Sequence, residues 1–200
     1  MKRLVATLAI FGILAPSVFP ALAFDPNYIL SDDDMTNGFA LDRNQIQAFL
    51  DRGYLGDYKT TDYAGVTRSA TDIIWRAAQT HGISPKFLLV LLQKEQSLVE
   101  DDEPTQKQLD WATGYAVCDD CAMDDPAIQR WKGFYRQINS AAAQFDYYLA
   151  NPDEFRYQVG ETYTIDGGTV TPQNTATAAM YNYTPHLHGN SLFYSIWNRW

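Results

Sequence analysis

Glu95 is the residue around which chemistry can be argued, because a lone carboxyl stands within an apolar helical run. The stretch from Gly82 to Glu100 reads as one helix. Ser84 suits the N-cap, and Pro85 suits the first helical position, where its missing N–H costs nothing. At about 100° per residue, Leu88, Leu91, Leu92, Leu98 and Val99 fall within roughly 60° of Glu95. Burial disfavours the charged form of a carboxyl. A carboxyl held protonated near neutral pH is what a general acid for glycosidic-bond cleavage needs. The competing reading is structural: a buried glutamate paired with an arginine such as Arg76.

The second pair with chemical potential is Cys118 and Cys121, the only cysteines, spaced Cys-Asp-Asp-Cys. In a secreted chain this spacing reads as a local disulfide that pins a loop. A zinc site would need two further ligands, and His81, His186 and His188 are far off in sequence, so no metal is expected. A redox pair is the remaining alternative. Flanking aspartates oppose it, since they would raise thiol pKa values.

Secretion is expected from the N-terminus. Lys2 and Arg3 precede the mostly apolar stretch Leu4 to Val18, and Ala21-Leu22-Ala23 is a small-x-small cleavage site, so residues 1–23 read as a signal peptide. That stretch is too short and broken for a permanent membrane anchor. Loss of Lys2 and Arg3 takes the formal charge from −9 to −11. So acidic a surface disfavours nucleic acid and anionic membrane as partners and suits a neutral or zwitterionic polymer. The 13 tyrosines and 5 tryptophans are mostly core material, but such rings also serve as flat platforms in sugar grooves.

The elements that must position these residues are mainly helical. Residues 24–60 are expected to form an N-terminal arm and a first helix, packed on a domain spanning 61–200. Asp42 and Gln45 make a capping box for that helix, and Gly53 ends it. Gly53 to Gly65 reads as a tyrosine-rich loop. A second helix runs from about Ser69 to His81, with Gly82 just past its end. Asp101 to Asp125 is an acidic connection, and connections of that length without clear periodicity are commonly functional or disordered. A long helix is expected from Asp125-Pro126 to Asn151-Pro152, with Trp131, Phe134, Tyr135, Ile138, Ala142, Phe145 and Leu149 at helical spacing. Phe155 to Thr171 alternates around Asp166-Gly167-Gly168, a hairpin signal. Asn174 to Tyr181 and Asn190 to Trp200 close the chain as helices.

Four segments then stand in one order: the helix ending in Glu95, Gly114-Tyr115 in a loop, a long alanine-bearing helix, and Ala178-Ala179-Met180-Tyr181-Asn182. This order resembles the lysozyme-like superfamily, in its soluble lytic transglycosylase and goose-type lysozyme branch. The Lys94-Glu95-Gln96-Ser97-Leu98-Val99 stretch is similar to a secreted bacterial subgroup of it. The resemblance implies a lysozyme-like helical domain with a small β-hairpin near the C-terminus. It implies Glu95 as the catalytic acid/base, and Gly114 and Tyr115 as the floor of a cleft. Tyr181 would hydrogen-bond the glutamate or stack on sugar, and Asn182 would hold substrate or neighbouring backbone. Ser97 is carried over as a substrate contact, although Gln96 occupies the slot that the family fills with serine. Val117 stands where the family's loop has glutamine.

The implied partner is peptidoglycan or a related aminosugar polymer, met by a monomer without metal or organic cofactor, outside the cytoplasm. An inverting hydrolase needs a second carboxylate about 6.5–9.5 Å from the first. A lytic transglycosylase needs only one, because the C6 hydroxyl of the same sugar attacks internally. The single well-placed glutamate therefore favours the transglycosylase. Asp101, Asp102, Glu103, Asp119 and Asp120 are the hydrolase candidates. A non-catalytic glycan-binding or wall-associated domain of the same fold is the third reading.

Overall fold

The computed structural model describes residues 23–117 and 122–200. The expected signal segment, apart from Ala23, and the Cys118–Cys121 pairing lie outside the described residues. Nine helices and two short antiparallel hairpins make up the described chain, so the fold is mainly α, as expected.

The N-terminal arm carries helix α1 (Asp32–Thr36), and α2 (Arg43–Leu50) follows with the expected Asp42/Gln45 capping box fully formed. The tyrosine-rich segment is more ordered than the sequence indicates. It holds a 3₁₀ turn at Tyr54–Gly56 and a hairpin of β1 (Lys59–Thr61) and β2 (Thr67–Ser69). Helix α3 (Ala70–His81) starts on the Ser69 cap and ends at Gly82. Helix α4 (Pro85–Gln96) starts on Ser84 with Pro85 in its first turn.

Helix α4 differs from the expectation in two ways. Phe87 through Leu92 are all fully buried, so the helix is apolar on every side rather than along one stripe. It also stops at Gln96, four residues early, with Ser97 in the left-handed region. The Gln93 side chain closes that turn, its amide oxygen accepting from the N–H groups of Val99 and Glu100. Leu98 and Val99 are thereby turned into the core without continuing the helix.

Helices α5 (Gln106–Asp110) and α6 (Pro126–Gln129) lie in the acidic connection and at its end. The expected long helix is thus broken. Gly133, at φ +111°, donates its N–H to Asp110 O, and α7 (Phe134–Ala150) begins only after it. Trp131 sits in the break and not on the helix. Asn151 caps α7, and Pro152 opens a 3₁₀ turn. The second hairpin, β3 (Tyr163–Ile165) with β4 (Gly168–Val170), turns at Asp166-Gly167 as expected. Helix α8 (Thr175–Tyr183) runs two residues past the expected end, and α9 (Leu187–Arg199) begins three residues early.

Helix α7 packs on α3 and α8, and α4 packs on α3 and α9. Ile29, Leu30, Met35, Ile46, Leu50 and Leu55, all from residues 24–60, lie in the same buried cluster as Phe145 and Phe193. Each large aliphatic side chain so buried contributes about 1.5–3 kcal/mol. Among the described residues no helix is long and apolar enough to cross a membrane.

Arg76, the arginine considered as a partner for Glu95, is engaged elsewhere. Its Nε lies 2.7 Å from Asp72, which also contacts Arg43 and Arg68. Burial alone would raise the Asp72 carboxyl. Hydrogen bonds from Arg76 and Arg68, with the charges of Arg76 and Arg43, outweigh it and hold the group below its ordinary 3.8. A carboxyl lowered by folding adds stability that is complete above pH 3.8 and is lost as pH falls through the lowered value. The stability gap between wild type and Asp72→Asn is expected to be largest near neutral pH and to shrink on acidification. Urea unfolding across that range checks it, and a gap that widens on acidification would contradict it.

Candidate functional site

Glu95 lies in the last turn of α4, where the helix has left the core, and lines a cleft of about 600 Å³. The other walls come from the 107–117 segment, from Met123, and from the loop joining α8 to α9. Their main contributors are Lys107, Trp111, Gly114, Tyr183, Thr184 and His186.

Among the described residues the carboxyl is held on one side only. Lys94 Nζ lies 2.6 Å from Glu95 Oε1 and 2.8 Å from Thr184 Oγ1. The Lys94 side chain is 5% exposed and that of Glu95 21%. A nearly buried ammonium needs such acceptors, so the pair fixes the orientation of the carboxyl. Gly189 on α9 leaves the space that Lys94 occupies. A Cβ there would meet Lys94 Cε at 3.4 Å and Thr184 Cγ2 at 2.8 Å. The surroundings of Glu95 are therefore an ion pair at a cleft wall and not the apolar niche that the helical pattern implies.

The other oxygen, Oε2, faces Gly114. That residue has φ +68°, and a Cβ built on it would stand 3.4 Å from Oε2. The loop carrying it is anchored from beneath by Gln137 of α7, which is fully buried. Gln137 Oε1 accepts from Thr113 N, Thr113 Oγ1 and Tyr115 N, and its Nε2 donates to Tyr115 O and Trp131 O. One side chain thus ties the loop and the α6–α7 break to the helix beneath.

Tyr183 forms the back of the cleft. Its hydroxyl donates to Thr113 O at 2.9 Å, and its ring stacks on Phe145 with centroids 4.7 Å apart. Burial, with the charge of Glu95 adding to it, pushes the phenol well above its ordinary value, so it stays a neutral donor. At the rim, His186 Nδ1 lies 3.2 Å from Asp166 Oδ1, and Asp166 Oδ2 accepts from Leu187 N. The Leu187 N–H first, then His186, hold that carboxyl below its usual range. Asn190 Nδ2 donates to Thr184 O and His186 O, completing the support of this loop.

The residue model of the LasA N-terminal domain family matches residues 28–191. The chain belongs to that family. No curated protein and no solved structure matches it. The family's span begins in the N-terminal arm and ends within α9, so all the residues lining the cleft fall inside it.

Of the residues singled out from sequence, Glu95 and Gly114 meet at the cleft. Tyr115 does not line it: its ring packs edge-on against Trp131, 5.2 Å between centroids. Tyr181 is a correction. It is fully buried, its hydroxyl donates to Pro26 O, and burial raises it. Residues 181 and 183 stand about 200° apart on a helix, so only one of them can face the cleft, and it is Tyr183. Asn182 holds neighbouring backbone rather than substrate, bonding both N and O of Tyr157. Ser97 is a second correction. It is exposed beyond the helix end and lines a different groove with Glu100, Asp101, Asp102 and Glu103. Cys118 and Cys121 lie outside the described residues.

Sequence reasoning missed Lys94, Gln137, Tyr183, Thr184 and His186. Lys94 carried a signal, a charged neighbour of Glu95 at the end of an apolar run. Gln137 carried a weaker one, a polar residue on the apolar face of a long helix.

Proposed function

We propose that the protein is a secreted enzyme that cleaves peptidoglycan glycan chains with Glu95 as its acid/base, by lytic transglycosylase chemistry ahead of hydrolysis. One observation carries this reading: among the described residues, Glu95 is the only carboxyl lining the cleft, and its Oε2 faces the space beside Gly114. The resemblance to the lysozyme-like superfamily supports it through the same two residues.

In this mechanism Glu95 enters as the protonated acid, with Oε1 accepting from Lys94 and Oε2 carrying the proton. Oε2 gives that proton to the glycosidic oxygen as the C1–O bond breaks. Negative charge then develops on the carboxyl, and Lys94, 2.6 Å away, stabilises it. The carboxylate next takes the proton of the C6 hydroxyl on the same muramic acid residue. That oxygen bonds to C1 and closes a 1,6-anhydro ring without consuming water. Internal attack gains from high effective molarity and needs no second carboxylate.

A hydrolase, as a lysozyme or an endo-N-acetylglucosaminidase, is the less supported enzyme reading. Asp101, Asp102 and Glu103 line the neighbouring groove, and Asp119 and Asp120 lie outside the described residues. The glycan-binding, non-catalytic reading draws on the Lys94–Glu95 ion pair, since a structural pair needs no chemistry. Mass spectrometry of products from purified sacculi separates the three. Anhydromuramic ends that vanish in Glu95→Gln support the transglycosylase, and reducing ends that vanish support a hydrolase. Binding to sacculi without any released fragment overturns the catalytic reading.

Gly114→Ala is expected to cost about 1–2 kcal/mol, because an L side chain is strained in the left-handed region. The new methyl would also stand in contact with Glu95 Oε2, 3.4 Å away, where substrate must reach it. Cleavage should therefore fall by more than the loss of folded protein explains. Denaturant unfolding and initial rates on one preparation check this, and a fully active variant would remove Gly114 from the site.

A further inference from the structure

We propose that the β1–β2 hairpin tip and the 130–136 segment form a second carbohydrate surface, which receives a glycan strand continuing out of the Glu95 cleft. The inference rests on the glycan reading above and extends it to a binding site of its own.

The hairpin tip is built to present a ring. Asp62 Oδ1 accepts from both Ala64 N and Val66 N, and its Oδ2 accepts from Arg68 Nε. Those bonds hold the turn from within and leave Tyr63 58% exposed at its end. The Tyr63 ring meets Tyr135 edge-on, centroids 5.0 Å apart, and the Arg136 guanidinium lies 5.6 Å over it. Beside these rings is a cavity of about 240 Å³, with Thr60, Thr61, Lys132 and Phe134 among its walls. Exposed aromatic faces beside hydroxyls and charged donors are the chemistry by which proteins stack and hydrogen-bond pyranose rings.

The surface adjoins the cleft. Gly133 N donates to Asp110 O at 2.9 Å, and Lys132 Nζ lies 3.2 Å from Asp110 Oδ2. Asp110 directly precedes Trp111, which lines the cleft. The Tyr115–Trp131 contact bridges the same gap, because Tyr115 follows the cleft residue Gly114 and Trp131 precedes Lys132. A polymer leaving the cleft along this side meets Trp131 and then Tyr63.

Charge selects the polymer. On a chain of formal charge −9, this short segment gathers Arg130, Lys132 and Arg136. Among the described residues Arg130 and Arg136 form no ion pair, with Arg130 lying 4.7 Å over the Trp131 ring. Such a patch attracts an anionic strand against the general acidity of the protein. The occupant is therefore peptide-free glycan, in which the lactyl groups of muramic acid are free carboxylates, and not a neutral chitin chain.

The test uses the Glu95→Gln protein, so that ligand survives, and calorimetric binding of peptide-free peptidoglycan disaccharide and octasaccharide. The affinity advantage of octasaccharide over disaccharide is expected to fall about 3- to 10-fold on adding Tyr63→Ala, and to be retained with Tyr63→Phe. Arg136→Ala should reduce the advantage for the peptidoglycan octasaccharide more than for a chitin octasaccharide. An unchanged length advantage in Tyr63→Ala overturns the proposal. If Glu95-dependent cleavage holds while Tyr63→Ala changes nothing, the surface falls and the catalytic reading stands. If the Tyr63-dependent advantage is measured but wild type cleaves no glycan, the surface stands and the acid role of Glu95 falls. No binding of either fragment overturns both.

Discussion

Glu95→Gln is expected to lower the release of soluble fragments from peptidoglycan by roughly 10²–10⁴-fold, the range by which a positioned acid/base accelerates proton transfer. Glutamine matches glutamate in shape, and its amide oxygen can still accept the bond from Lys94 Nζ that now goes to Oε1. Lys94 also keeps Thr184 Oγ1, so its nearly buried ammonium retains two acceptors. The cleft should therefore keep its form while losing the only lining carboxyl among the described residues. Circular dichroism and thermal unfolding of the variant are expected to resemble wild type. A variant that folds and still cleaves at the wild-type rate would end the assignment. Loss of activity together with loss of the folded state would instead mark Glu95 as a structural partner of Lys94, and Glu95→Asp would then be the deciding variant. A shorter acid keeps the ion pair's charge but withdraws the proton from its place, so it should fold and remain slow.

Gln137→Leu is expected to destabilise the protein by about 3–5 kcal/mol, the largest loss foreseen for any single polar residue here. Leucine fits the volume but removes five side-chain hydrogen bonds at once. It strands the N–H groups of Thr113 and Tyr115 and the carbonyls of Tyr115 and Trp131. Each buried polar group left without a partner costs about 1–3 kcal/mol. Movement of the loop toward water recovers part of that, which is why the expected total is below the sum. Thr113 is fully buried and cannot reach solvent without displacing Tyr183, which bonds to its carbonyl. The same movement carries Gly114 away from Glu95, so cleavage should fall further than the folded fraction does. Gln137→Glu keeps the acceptor but turns a second oxygen onto the Tyr115 and Trp131 carbonyls in a fully buried site, and should be at least as destabilising as leucine. Guanidinium unfolding of the three proteins decides the matter. A loss below about 1 kcal/mol for leucine would mean that the loop is held by other contacts.

Much of the architecture was legible from residues a few positions apart. The Asp42/Gln45 box, the Ser84 cap, the Asp166-Gly167 turn and the Asn151-Pro152 stop each act within one turn of chain, and each formed where the pattern put it. Glu95 was likewise readable as a carboxyl out of place in an apolar run, whereas Gly114 was singled out only through the resemblance. Hairpin β1–β2 was not, because three-residue strands carry too little alternation to register, and its turn is stabilised by the Asp62 side chain rather than by a signature dipeptide.

The environment of Glu95 was decided by tertiary structure alone. An apolar helical pattern says that a face is buried, but not where along the helix burial ends. Here it ends before the last turn, because the turn closed by Gln93 returns Leu98 and Val99 to the core and leaves Lys94 and Glu95 at a wall. Lys94 then finds Thr184, ninety residues on, and Gln137 finds a loop twenty-two to twenty-four residues before it. The choice of Tyr183 over Tyr181 depended on the phase of α8 against the N-terminal arm, where Pro26 takes the Tyr181 hydroxyl. Sequence by itself determined where most of the longer helices start and which carboxyl stands out in an apolar run. What surrounds that carboxyl came from packing, since long-range partners are chosen by the geometry of the assembled core and leave no trace in local spacing.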